Sequence, residues 1–131
     1  MFTQRRWIAV AFTVPIVELA LTTAFVHLTL GGLLFTANAV GYAVLAAMYA
    51  VGTAVDGCPL GRFSWMPRLA LLGFTLATIA GYLAMGPYFT LGWVTKGVEV
   101  ALATLVAADI ARRYRSVGGL RDAVLGRDPA S

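Results

Sequence analysis

The chain has 131 residues, of which 60% are hydrophobic and 12% charged, with a mean hydropathy of +0.80 and a net charge of +4. Average soluble domains carry about 25% charged residues, and a water-soluble fold of this length has too small an interior to hide so much apolar surface. The composition therefore predicts a single all-α domain whose solvent is the lipid bilayer, and it gives no support to a soluble enzyme.

The first apolar run begins at Trp7, directly after Arg5 and Arg6. That pattern raises the question of a cleaved leader. Glu18 would fall inside the leader's apolar core, and apolar sequence continues well past any cleavage point, so residues 7–28 are read as a first transmembrane helix. A second apolar run covers 33–54 with almost no polar relief. One helix across both runs would be ~70 Å long, against a hydrocarbon core of about 30 Å. The chain must turn between them, and Gly31-Gly32 is the natural breaker. Residues 56–67, rich in Gly and Pro, read as a loop, with Pro67 at the start of a third helix over 69–85. Gly86-Pro87 ends that helix, and a fourth covers 91–111. Residues 1–113 thus form one membrane domain. Residues 114–131 form a basic cytoplasmic tail, either a short surface helix or a segment without fixed structure.

Charge placement predicts orientation. Arg5, Arg6, Arg62, Arg68, Arg112, Arg113, Arg115, Arg121 and Arg127 fall at the termini or around the central loop, and the turns near Gly31 and Pro87 have none. Four spans put all these arginines on one leaflet, as the positive-inside rule requires. The expected architecture is an up-down-up-down four-helix bundle in the cell membrane, both termini in the cytoplasm. Trp7 and Trp65 fall near one interface and Tyr88, Phe89 and Trp93 near the other, as aromatic belts do. No basic patch is interleaved with aromatics, so nucleic acid is not an expected partner. Cys58 stands alone, which excludes an intrachain disulfide and an all-cysteine metal site.

Packing candidates come from small residues, because lipid gives apolar side chains no reason to associate and helices approach where side chains are small. Gly73, Ala77 and Gly81 make such a stripe on the third helix; Ala39, Ala43, Ala47 and Ala50 lie on one flank of the second, and Ala103, Ala107 and Ala111 on the fourth. Whether these stripes face the bundle or a partner stays open.

Ionisable residues inside spans cost about 2.5–3.5 kcal/mol each on insertion scales and so mark positions with a reason to exist. Asp109 lies three and four residues before Arg112 and Arg113, which allows a local ion pair. Lys96 and Glu99 are one turn apart on one face, either a local pair or part of an ion pathway. Glu18 sits near mid-span with no base within a turn, so it is either structural or a titrating site, and Pro15 beside it removes a backbone donor. His27 lies nine residues further on, which places it on the opposite face of the helix from Glu18. Asn38, Tyr42 and Tyr49 line one face of the second helix within reach of these acids. By depth, His27, Lys96, Glu99 and Glu18 form a descending polar series.

In size and in its mid-span acid the chain resembles small multidrug-resistance transporters, although none of that family's helix motifs is present. The segments 25–31 and 91–102 look like stretches of uncharacterised small four-helix prokaryotic membrane proteins, a resemblance confined to these two stretches that implies no activity. No Gly-rich phosphate loop, Cys/His cluster or activated nucleophile is evident, so no catalytic residue, metal or cofactor is expected. The first functional expectation is a non-catalytic subunit or interaction partner of a membrane complex, bound to other subunits or to copies of itself. The alternatives are a small proton-coupled carrier with Glu18 as its titrating site, or a haem-binding redox protein using His27.

Overall fold

A computed structural model describes residues 4–55, 63–86 and 88–126. Most of the expected loop over 56–67, with Cys58 and Arg62, lies outside the described residues, as do Pro87 and Arg127. Five helices account for most of the described residues, which contain no strand: α1 (Gln4–Leu30), α2 (Leu33–Ala54), α3 (Trp65–Met85), α4 (Thr90–Tyr114) and α5 (Val117–Val124). At 1.5 Å per residue, α1 to α4 run ~40, ~33, ~31 and ~37 Å, each at least the thickness of a hydrocarbon core.

On length and composition α1, α2 and α3 are apolar enough to cross a membrane, which is compatible with a membrane protein. From its sequence, α4 is expected to be a fourth span. It is not among the three, and it carries Lys96, Glu99 and Asp109 within its 25 residues.

Helix α1 runs unbroken through Pro15 and ends at Leu30. The reversal into α2 takes two residues, Gly31 at φ 72° and Gly32 at φ 89°. Side chains with a Cβ rarely adopt such angles, so two adjacent glycines make the turn possible at this length. Helix α3 begins four residues ahead of the expected start, with Pro67 inside its first turn, where the missing N–H has no intrahelical acceptor to lose. Arg68 is consequently an interior helix residue and not a loop cation. The tail forms α5, opened by Ser116, whose side chain accepts a hydrogen bond from the Gly119 amide.

Each helix packs on the next, and α4 packs back on α1. Contacts join the start of one helix to the end of its neighbour. On α1 and α2, Thr13 meets Thr53 while His27 meets Phe35. Between α2 and α3, Tyr42 meets Phe74 and Thr78, while Gly52 approaches Pro67 and Ser64. The core contains Ile16, Ala20, Tyr42, Ala46, Tyr49, Leu71, Leu102 and Val106. Alanines at positions 20 and 24 of α1 and 39 and 46 of α2 are buried in the same core.

The small-residue stripe of α3 faces the other way. Gly73 and Ala77 are exposed, a Cβ added at Gly73 would meet nothing, and one added at Gly81 would touch only Met85 of its own helix. Ala43, Ala47, Ala50, Ala107 and Ala111 are exposed as well, and Ala103 is half-buried. The tightest glycine approaches between the long helices fall instead at Gly41 and Gly92. A Cβ at Gly41 would sit 2.5 Å from the Phe74 ring, and one at Gly92 would sit 2.5 Å from the Tyr82 hydroxyl.

Candidate functional site

Among the described residues, the interior of the helix assembly holds two groups of ionisable side chains, one in each half. Both are built around a carboxylate on α4. Ten residues separate Glu99 from Asp109, so they stand ~15 Å apart along the helix. Leu102 and Val106 lie between them, fully buried with Leu71 and Ile16.

Asp109 is wholly buried, and both of its oxygens are used. Oδ2 accepts from Tyr49 of α2 and from Nε of Arg68 of α3, the latter at 3.0 Å. Oδ1 accepts from Nε of Arg112 at 3.1 Å and from its Nη2. Arg68, 1% exposed, also donates Nη1 to the Ser64 carbonyl at 2.8 Å, and its guanidinium lies over the Tyr49 ring at 5.2 Å. Arg112 covers the Phe12 ring of α1 at 5.2 Å. One carboxylate therefore links α2, α3 and α4, and its second cation rests on α1. The i,i+3 pair with Arg112 follows from the spacing; the pair with Arg68, 41 positions away, does not. A helix start drawn at Leu69 leaves Arg68 in the loop, whereas the proline one residue before it was the signal that the helix had already begun.

Glu99, also fully buried, is the centre of the second group. Lys96 donates to Oε2 from the same face of α4. Thr23 of α1 donates to Oε1 at 3.3 Å, and Nε2 of His27 stands 3.7 Å from the same oxygen. The His27 Nδ1 is 2.7 Å from the Thr23 carbonyl. A carbonyl can only accept, so Nδ1 carries a proton and the Nε2 edge is the one presented to Glu99. The His27 ring also packs 5.8 Å from the Tyr42 ring. Thr78 donates to the Thr75 carbonyl, so its oxygen is free to accept from the Tyr42 hydroxyl at 2.7 Å. Lys96 further lies 5.3 Å from the centre of the Tyr82 ring. Tyr82 is the hub of an aromatic cluster with Tyr88 and Trp93, ring centres 5.3–5.7 Å apart, at the α3–α4 turn.

The structure thus brings together His27, Lys96, Glu99 and Tyr42, and adds Thr23, which the sequence reading passed over because threonine in a long apolar helix carries no distinguishing signal. Asn38 is half-buried, and among the described residues no hydrogen bond joins it to the group. Glu18 does not join it. Its residue is exposed on the outward face of α1, between Val14 and Leu21, while the inward face of that helix presents Ile16, Ala20, Thr23 and His27. The descending polar series therefore ends at Glu99, close to the middle of α4, and not at Glu18.

What the two groups can do chemically is limited by their saturation. Every acceptor of Asp109 has a donor, and Glu99 has a cation and a hydroxyl. Among the described residues no three His, Cys, Asp or Glu side chains gather as metal ligands would. A surface groove of about 300 Å³ between α1 and α2, bordered by Arg6, Ala9, Thr13 and Thr53, shares no residue with either group. Comparison of the chain with protein-family models, curated proteins and solved structures finds no match to any of them.

Proposed function

We propose that this chain is a non-catalytic integral membrane subunit. In this reading it is a four-helix up-down-up-down bundle that crosses the bilayer four times with both termini in the cytoplasm, and it acts by docking its outer faces onto other membrane-embedded protein. The observation that carries the reading is the sorting of charge on α4. Average hydropathy counts every side chain of a helix, but lipid meets only the outward ones. Lys96, Glu99 and Asp109 are all buried and paired, and the exposed face of α4 offers Leu91, Trp93, Val94, Val100, Ala101 and Ala108. A helix with that outer face tolerates hydrocarbon although its mean composition is only moderately apolar.

The same saturation supports a structural role for the two ionic groups. Buried charge is costly unless paired and hydrogen-bonded, and here it is both, in sets that tie neighbouring helices together. A carrier built on Glu18 lacks support, because that residue faces away from the bundle interior. The test is extraction from native membranes in a mild detergent followed by native mass spectrometry. Assembled species, homo- or hetero-oligomeric, are expected. A lone 13.9 kDa monomer under conditions that keep other membrane complexes intact would contradict the proposal.

A further inference from the structure

Glu18 is the one ionisable side chain that the described helices leave on an outward face near mid-span. It sits one residue from the centre of the 27-residue α1. Every exposed arginine among the described residues, namely Arg5, Arg6, Arg115 and Arg121, lies near a chain end, while Lys96 and Arg68 are buried in their own pairs. Within one copy no exposed cation of the described residues lies at that depth to neutralise Glu18, and the neighbouring Thr22 hydroxyl donates to its backbone carbonyl, not to its carboxyl. An acid facing hydrocarbon at mid-depth is costly, so the face that bears it is a face meant to be covered.

From this placement we infer that α1 is the interface of a parallel homodimer, in which Glu18 of one copy hydrogen-bonds Glu18 of the other across a two-fold axis normal to the membrane. The inference rests on the membrane-spanning reading above and names the partner for it. Three observations select a second copy as the occupant. Arginine asymmetry inserts every copy in one orientation, so the group certain to lie at the depth of Glu18 in a second copy is its own Glu18. The outward positions Ala11, Val14, Glu18, Leu21, Phe25 and Leu28 are spaced three, four, three, four and three residues apart and are all exposed. That is the spacing an a/d seam of a parallel two-stranded coil requires, and a single polar residue at one a position fixes the register of such a coil. Finally, a carboxyl is self-complementary under two-fold symmetry: two protonated carboxyls each donate one O–H and accept one, which leaves no polar atom facing lipid.

The test uses the full chain in bilayer vesicles, with Cys58→Ser as background and single cysteines introduced at Val14, Leu21 and Phe25 on the seam, or at Leu76 and Leu83 on the exposed face of α3. Oxidative crosslinking should trap dimers from the seam positions and not from α3. Glu18→Gln, whose amide also donates and accepts, should retain crosslinking. Glu18→Val should lower the crosslinked fraction by about tenfold, with unchanged helicity by circular dichroism, since the residue is outside the packed interior. Crosslinks from α3 but not from the seam, or equal crosslinking of the Gln and Val variants, would overturn the proposal. A chain that remains integral to the membrane, assembles with other proteins and shows no seam crosslink would also overturn it while leaving the membrane-subunit reading intact. Release of the chain by alkaline carbonate would overturn both.

Discussion

Consider removing Arg68 or Asp109, the pair that joins α3 to α4. Both are buried to within 1% of completely, and their contact is a 3.0 Å hydrogen bond between ions. Arg68→Met would leave Asp109 with Arg112 and Tyr49. Asp109→Leu would leave the guanidinium of Arg68 with one carbonyl partner, Ser64, and no counter-ion. Breaking a buried pair from one side costs about 3–5 kcal/mol because an uncompensated charge stays behind. Asp109→Leu should reach the upper half of that range, since it strands Arg68, Arg112 and Tyr49 together. Arg68→Met should fall nearer 3 kcal/mol, because Arg112 still neutralises the carboxylate. The double variant removes both charges, and with apolar residues of similar volume it should cost less than about 2 kcal/mol. The coupling energy is then several kcal/mol, above the average of about 0.6 kcal/mol measured for interhelical hydrogen bonds in a membrane protein. The assay is reversible unfolding in mixed micelles titrated with a denaturing detergent, followed by circular dichroism, for wild type, both single variants and the double. Singles that each lose under 1 kcal/mol and add without coupling would refute the view that this group clamps the helices.

Four further outcomes follow from the same geometry. Glu99→Leu should destabilise the fold by about 2–4 kcal/mol by stranding Lys96 and Thr23, and adding Lys96→Met should restore most of the loss in the same unfolding assay. Gly41→Val should cost about 1–3 kcal/mol by driving the Phe74 ring off Tyr42, whereas Gly73→Ala should change stability by less than about 0.5 kcal/mol, because nothing lies within reach of the added methyl. Thr23→Val removes a donor from Glu99 while keeping the shape, with an expected loss of about 1–2 kcal/mol in thermal denaturation. Glu18→Gln should leave the unfolding free energy of the monomer unchanged within about 0.5 kcal/mol, and a loss above 2 kcal/mol would mean that the side chain is packed inside.

Local features of the chain were the legible ones. The second helix occupies 33–54 as expected, because glycines at 31 and 32 bound it on one side and its apolar run is uninterrupted. The Lys96–Glu99 and Asp109–Arg112 pairs were readable because residues three apart on a helix must be neighbours. Facing was not readable. A helix that is apolar nearly all round gives periodicity too little contrast to say which side turns inward, so Glu18 and His27 could be placed on opposite sides of α1 but not assigned to bundle and surface. The facing of the glycine and alanine stripe of α3 was open for the same reason: small residues permit close approach without requiring it, and the tightest glycine approaches between the long helices are at Gly41 and Gly92. Arg68 was missed because a start assigned four residues late put it in a loop, and with it the partner that lies 41 positions away in sequence.

The central claim, that four helices including the charged α4 cross the bilayer, is tested most directly by side-specific labelling of single cysteines in intact cells, again with Cys58→Ser as background. Leu33→Cys and Tyr88→Cys, at the two turns, should react with a membrane-impermeant maleimide added outside, and Arg121→Cys, on α5, should react only after the membrane is opened. Labelling of the Leu33 and Arg121 positions from one side would contradict the account. So would protection of Tyr88 in intact cells, since α4 would then not return across the membrane.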